Sequence, residues 1–236
     1  MSESAAFYEE ILYPLQTGVL SALANSRTCF YLTGGTALHR HYFGDRYSDD
    51  LDLFAEHDAE FVTHVRRALA AIEGAGYALA SEGSIRRPHF ARAVVRTSEA
   101  ALQIDFVNDT VPRFGALVSG DLFPRIDALG NILSNKLTAL FRLEAKDFAD
   151  LWTIANAVNF HWRDAAAEAG QKLVGTSTLE FAELIRDFPP DRFDGIRWRR
   201  PPDRGRFLAD LKQMARDLLE VGPNSLAPTN TRSRAD

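Results

Sequence analysis

Asp50 and Asp52 stand in the run Asp45-Arg-Tyr-Ser-Asp-Asp-Leu-Asp-Leu-Phe54, and their spacing suits a metal-binding pair. On a strand, residues at i and i+2 leave the same face. Two carboxylates side by side repel each other unless a cation sits between them. Leu51, Leu53 and Phe54 would bury the opposite face and so present the acids outward. An all-oxygen ligand set suits Mg²⁺, with substrate phosphates completing its octahedron. A third acid, Asp105, lies in the strand-like run Leu102-Gln-Ile-Asp-Phe-Val107. Upstream, Gly34-Gly35-Thr36 ends an apolar run and opens a helix, which exposes backbone N–H groups where a phosphate could bind. Two glycines alone are equally well explained by a turn that needs φ > 0. The acid pair, the third acid and the glycine turn together point to phosphate chemistry on a metal.

These residues need elements to hold them. Residues 5–25 read as a helix with apolar positions at Phe7, Ile11, Leu15, Val19 and Leu23, kinked by Pro14. A short strand at 30–32 runs into the glycines, and 36–43 follow as a short helix. Asp50–Phe54 reads as a half-buried strand, and 58–75 as an amphipathic helix closed by glycines. Strands are expected at 77–81, 90–96 and 101–107. From Leu129 the text turns helical: 129–143, 146–158, 163–173, 178–187 and 204–219. The fold class is therefore α+β, with a strand-bearing half (1–125), a helical half (126–221) and a polar tail (222–236) expected to be disordered.

Composition narrows the functional classes. The 236 residues are 46% hydrophobic and 25% charged, with net charge −5, as in ordinary globular proteins. A polyanion could be bound only through a local basic patch. The one cysteine, Cys29, excludes disulfide stapling and fits a cytoplasmic location. The start lacks a signal peptide's basic n-region, and no apolar run reaches the roughly 20 residues of a membrane span. The histidines show no metal-ligand spacing, and neither a P-loop nor a Gly-x-Ser-x-Gly elbow is present.

Gly-Gly-Thr, a helix, Arg46-x-Ser48-x-Asp50-x-Asp52, then Lys136 and Lys146-Asp147-x-x-Asp150-Leu151 resemble the AbiEii/AbiGii-type nucleotidyltransferase toxins, which include the MenA-like toxins. These belong to the DNA polymerase β-like nucleotidyltransferase superfamily. The match covers about residues 30–155; Thr36 replaces a frequent serine and keeps the hydroxyl. The resemblance implies a small mixed sheet bearing the acids and a helical half closing over the nucleotide. It implies transfer of a nucleoside monophosphate from an NTP, with tRNA as acceptor, on a two-metal site, by a protein paired with an antitoxin. Asp50 and Asp52 would then hold Mg²⁺, and Asp105 would bind the catalytic metal or deprotonate the acceptor. Gly34, Gly35, Thr36, Arg46 and Ser48 would bind the nucleotide.

The helical half adds a cation. On one continuous helix from Asn131 to Trp152, Lys136, Asp147 and Asp150 would share a face, but Asp147 would lie about 16 Å along the axis from Lys136. A break near Glu144-Ala145 would fold the second segment back and close that gap. Lys136, among Leu133, Leu137 and Leu140, would then neutralise triphosphate charge together with Arg46, with Asp147 or Asp150 positioning it or the acceptor. Ordinary snorkelling of Lys136 over a core helix is the competing reading.

Residues 186–206 hold seven arginines against four aspartates, with Trp198 among them. Arg197, Arg199 and Arg200 beside an aromatic ring could contact RNA; a linker with Trp198 packed inward fits equally well. Arg86, Arg87 and Arg92 are a second candidate acceptor surface. Two other functions share these motifs: transfer to a small molecule or protein, and non-catalytic nucleotide or partner binding.

Overall fold

The computed structural model describes residues 3–228. The chain divides into two compact units, Met1–Ile132 and Leu133–Asp236, so the division falls within the helix that begins at Leu129, a few residues beyond the boundary expected at 125/126.

The first unit is built on a mixed five-stranded sheet: β1 (Tyr31–Thr33), β2 (Leu51–Glu56), β3 (Leu79–Arg87), β4 (Phe90–Arg96) and β5 (Ala101–Asp109), in the order β1-β2-β5-β4-β3. Only the β2–β5 pair is parallel. Alternation along the strands sorts the residues by face. Leu51, Leu53, Ala55, Ala91, Ala93, Val95, Leu102, Ile104 and Phe106 are buried on one side. Asp52, Arg92, Gln103 and Asp105 line the other and are half-buried.

Helix α4 (Phe61–Gly74) contributes Phe61, Val65, Ala68, Leu69 and Ile72 to this unit's core, where Phe30 packs against Phe61 and Phe106. Three α-helices precede it. The first helical stretch runs as α1 (Glu3–Ala6), a π-helical turn (Phe7–Leu12) and α2 (Tyr13–Ala24). The wide turn lies just before Pro14, whose ring would otherwise press on the preceding turn's carbonyls. After β1 comes α3 (Gly34–Ala37), continued by a second π-helical turn, Leu38–Tyr42. The open edge of β1 is covered: Leu32 exchanges hydrogen bonds with Arg125 and Asp127.

The second unit is helical. It comprises the later turns of α5 (Leu129–Ala139), then α6 (Ala145–Ala157), α7 (Trp162–Lys172), α8 (Thr178–Arg186) and α9 (Arg204–Leu219). A 3₁₀ turn, Pro190–Gly195, lies within the arginine-rich segment 186–206. The core gathers Phe148, Phe188, Phe193 and Phe207 with Trp152 and Trp198. Asn224 is buried and donates to the carbonyls of Ala155 and Val158, while Ser225 is bonded to Asp217. The start of the tail expected to be disordered from 222 is thus tied down by polar groups that hydropathy does not reveal. Its remainder, 229–236, lies outside the described residues.

Candidate active site

The glycine turn and the acid strand meet side by side. Thr33, the last residue of β1, is paired with Asp52 across the ladder, so Gly34 emerges next to that carboxylate. Gly34 has φ +66°, and a Cβ there would lie 2.1 Å from Asp52 Oδ2. A Cβ on Gly35 would lie 2.7 Å from Arg46 Nη2 and 2.8 Å from Ser48 Oγ. Glycine is required at position 34 by its φ and by the approach of Asp52, and a side chain at position 35 would have to displace the ends of Arg46 and Ser48. Gly34, Gly35, Arg46, Ser48 and Asp52 therefore form one contiguous group, as their spacing in the chain suggests.

Asp105 stands on β5 directly across from Asp52 in the parallel ladder. Its carboxylate is already engaged. Arg92, its partner on β4, donates from Nε and Nη2 to its two oxygens, each at 2.7 Å, and Gln103 Nε2 donates to Oδ2 at 3.2 Å. That pair, together with the nearby charges of Asp50 and Asp52, raises the Arg92 pKa above its usual range. The three acids thus share a neighbourhood. Among the described residues, however, they do not form a group with all ligand atoms within 4.8 Å of one another. Asp50 and Asp52 are both carboxylates, the oxygen ligand type that suits Mg²⁺.

Thr36 is turned into the fold. Its side chain is fully buried, donating to the Asp50 carbonyl at 2.6 Å and lying 3.0 Å from Ser48 Oγ. The hydroxyl fixes the acid strand from within and does not face outward to a phosphate.

The sequence reading missed the anchors of the 46–50 loop. Gln16 is wholly buried in the first helical stretch and donates from Nε2 to the carbonyls of Ser48 and Asp49, at 3.0 and 2.9 Å. Tyr8 donates to Asp49 Oδ1 and stacks on Tyr47 at 4.2 Å, and Tyr13 Oη accepts from the Ser48 N–H. The signal was present: a glutamine between Leu15 and Val19, in an apolar stripe, has to satisfy its amide somewhere.

In the second unit the expected break is observed. Leu143 adopts φ +55° and Glu144 is extended, so α6 folds back beside α5. Lys136 Nζ lies 2.8 Å from Asp147 Oδ1 and 2.7 Å from Asp150 Oδ2, both acids fully buried, and Arg142 reaches Asp147 Oδ2 at 3.0 Å. Two buried carboxylates thus hold the Lys136 ammonium in place.

Arg197, Arg199 and Arg200 are exposed. Trp198 turns inward against Trp152, Phe193 and Phe207, so it cannot stack on an unpaired base. Arg204 and Arg206 pair with Asp194 and Asp210.

The sheet thus carries a glycine turn against one strand acid, with a second acid across the neighbouring ladder. The chain belongs to the family of the nucleotidyl transferase AbiEii toxin of type IV toxin–antitoxin systems, whose model matches residues 19–227. Among solved structures it is similar to JHP933 from Helicobacter pylori (21% identity, TM-score 0.58, covering 93% of this chain and 94% of that one). It is also similar to a second H. pylori chain, provisionally designated a nucleotidyltransferase (22% identity, TM-score 0.58, 93% and 96% covered). These two likenesses concern the fold. No curated protein matches the chain. Among the described residues no helix is long and apolar enough to cross a membrane.

Proposed function

We propose that the chain transfers a nucleoside monophosphate from an NTP to a hydroxyl at the 3′ end of tRNA, with Mg²⁺ at Asp50 and Asp52. The observation that carries this reading is the packing of Gly34 on Asp52 and of Gly35 on Arg46 and Ser48, which joins a phosphate-binding turn to a metal-binding strand. Mg²⁺ held there would stabilise charge on the attacking and leaving oxygens. Gly34 and Gly35 offer backbone N–H groups to the β- and γ-phosphates, and the buried Arg46 guanidinium supplies fixed positive charge. Ser48 lines the same turn.

Asp105, oriented by Arg92, takes the proton of the acceptor hydroxyl as its oxygen attacks the α-phosphorus. A new P–O bond forms, the bond between the α-phosphorus and the bridging oxygen breaks, and pyrophosphate leaves. The exposed Arg197, Arg199 and Arg200 offer the acceptor phosphates a local patch on a chain of net negative charge. The toxin–antitoxin membership implies a neutralising antitoxin.

The deciding experiment incubates the protein with each α-labelled NTP and Mg²⁺, with total tRNA or alone. Label on tRNA supports the reading. Label on the protein, or on neither, overturns the acceptor or the activity respectively.

A further inference from the structure

Away from the acids, at the other end of β2, three side chains of different chemistry converge. Asp50 immediately precedes β2, whereas Asp58 follows its last residue, Glu56, by two positions. Cys29 lies just before β1, which runs antiparallel to β2, and His64 is in the first turn of α4. Among the described residues, Cys29, Asp58 and His64 alone form a group of three His, Cys, Asp or Glu side chains with ligand atoms all within 4.8 Å of one another. We infer that Cys29, Asp58 and His64 form a binding site for a zinc-like divalent transition-metal ion, separate from the Mg²⁺ site.

The donor set argues for the class of ion. One thiolate sulfur, one imidazole nitrogen and one carboxylate oxygen suit Zn²⁺, which takes tetrahedral N, S and O ligands, and they do not suit Mg²⁺. Three protein ligands leave the fourth position to water, and all three residues are half-buried, so an ion can enter.

The hydrogen bonding agrees. His64 Nε2 stands 3.6 Å from Asp58 Oδ2, beyond hydrogen-bond reach, and His64 Nδ1 is buried with no hydrogen-bond partner. Nε2, the nitrogen that faces Asp58, is therefore the ligand atom His64 offers to the trio. Asp58 is held independently: its backbone is bonded to the Asn108 side chain, and Oδ1 accepts from the Glu60 N–H at 2.6 Å, leaving Oδ2 directed at the trio. The Cys29 side chain is also hydrogen-bonded to Asp58, so these two donors already face each other. A cation here would fasten the start of β1 to the β2–α4 connection.

The test is a titration of the purified full chain with Co²⁺, a spectroscopic stand-in for Zn²⁺, in the presence of millimolar Mg²⁺. The expected result is one Co²⁺ per chain, with a thiolate-to-cobalt charge-transfer band and visible bands of tetrahedral intensity, all displaced by Zn²⁺. As Cys29 is the only cysteine, the band reports on this site alone. Cys29→Ser should remove it, and His64→Gln should keep the native circular dichroism while weakening Co²⁺ binding about tenfold or more. Asp58→Asn is the second ligand variant, read in the same way, in case His64→Gln fails to fold. Zn²⁺ should raise the melting temperature of the wild type and leave that of Cys29→Ser unmoved. No thiolate band at equimolar Co²⁺, a band arising only at two chains per ion, or a band indifferent to both His64→Gln and Asp58→Asn would each overturn the site. None of these readouts depends on nucleotide transfer.

Discussion

Arg92 holds Asp105 in a two-point grip across the β4–β5 ladder, with both N–H···O distances at 2.7 Å. The two are register partners, so the backbone pairing places the guanidinium fork opposite the carboxylate. A planar fork fixes both the position and the rotation of a carboxyl group, which a single ammonium does not.

Arg92→Lys should therefore preserve charge and lose orientation. The pair is part-exposed, so the stability cost is expected to stay within about 1 kcal/mol. Transfer should fall by about tenfold or more, because misplacing a reacting group costs rate more than stability. Denaturant unfolding beside a turnover assay separates the two; unchanged turnover would remove Asp105 from the reaction.

Gly34→Ala introduces a methyl where Asp52 Oδ2 already lies, at a residue with positive φ. Turnover should be lost, with a stability cost of about 1–3 kcal/mol. Gly74→Ala, at the end of α4 with open space around it, is the control and should be neutral or slightly stabilising. Wild-type turnover in Gly34→Ala would refute the tight packing.

Asp52→Asn should abolish transfer and leave the fold at least as stable, since one of several clustered negative charges is removed. Asp50→Asn should behave in the same direction. Thermal melts with and without Mg²⁺ should show the ion stabilising only the wild type. Transfer by Asp52→Asn at the wild-type rate would exclude the metal role.

Lys136→Met should destabilise the second unit by about 3–5 kcal/mol, because it leaves Asp147 and Asp150 buried with one cation removed. The triple change Lys136→Met, Asp147→Asn, Asp150→Asn should recover much of that loss. A marginal effect of Lys136→Met on unfolding, joined to a large one on NTP affinity, would support the triphosphate role.

Replacing Arg197, Arg199 and Arg200 with alanine should weaken tRNA binding and flatten its dependence on log salt by about two to three units, if each arginine neutralises one phosphate. NTP affinity should hold. An unchanged slope moves the acceptor surface elsewhere, with Arg86 and Arg87 on β3, both exposed, next to be tried.

What was legible in the sequence was local. Glycine spacing, alternation around Asp50 and Asp52, and the break before Ala145 are properties of short segments, and each is found where it was expected. What escaped depends on pairing between distant segments. Nothing in Phe90–Arg96 reveals that Arg92 faces Asp105, because that follows from the register of two strands. A hydroxyl after a glycine turn can face a ligand or its own chain, and Thr36 donates to the Asp50 carbonyl. Cys29, Asp58 and His64 have no metal-ligand spacing in sequence, and only the antiparallel return of β2 along β1 unites them.

The Asp52–Asp105 alignment has one further consequence. Both acids ride on hydrogen-bonded neighbouring strands, so their separation is set by the ladder and comes in whole-residue steps. A slip of one residue in β5 would turn Asp105 toward the core and bring Ile104 or Phe106 to the open face. A half-assembled sheet therefore has no half-strength site. During synthesis or after stress, a chain therefore either has the two carboxylates side by side or has an apolar side chain in place of one of them.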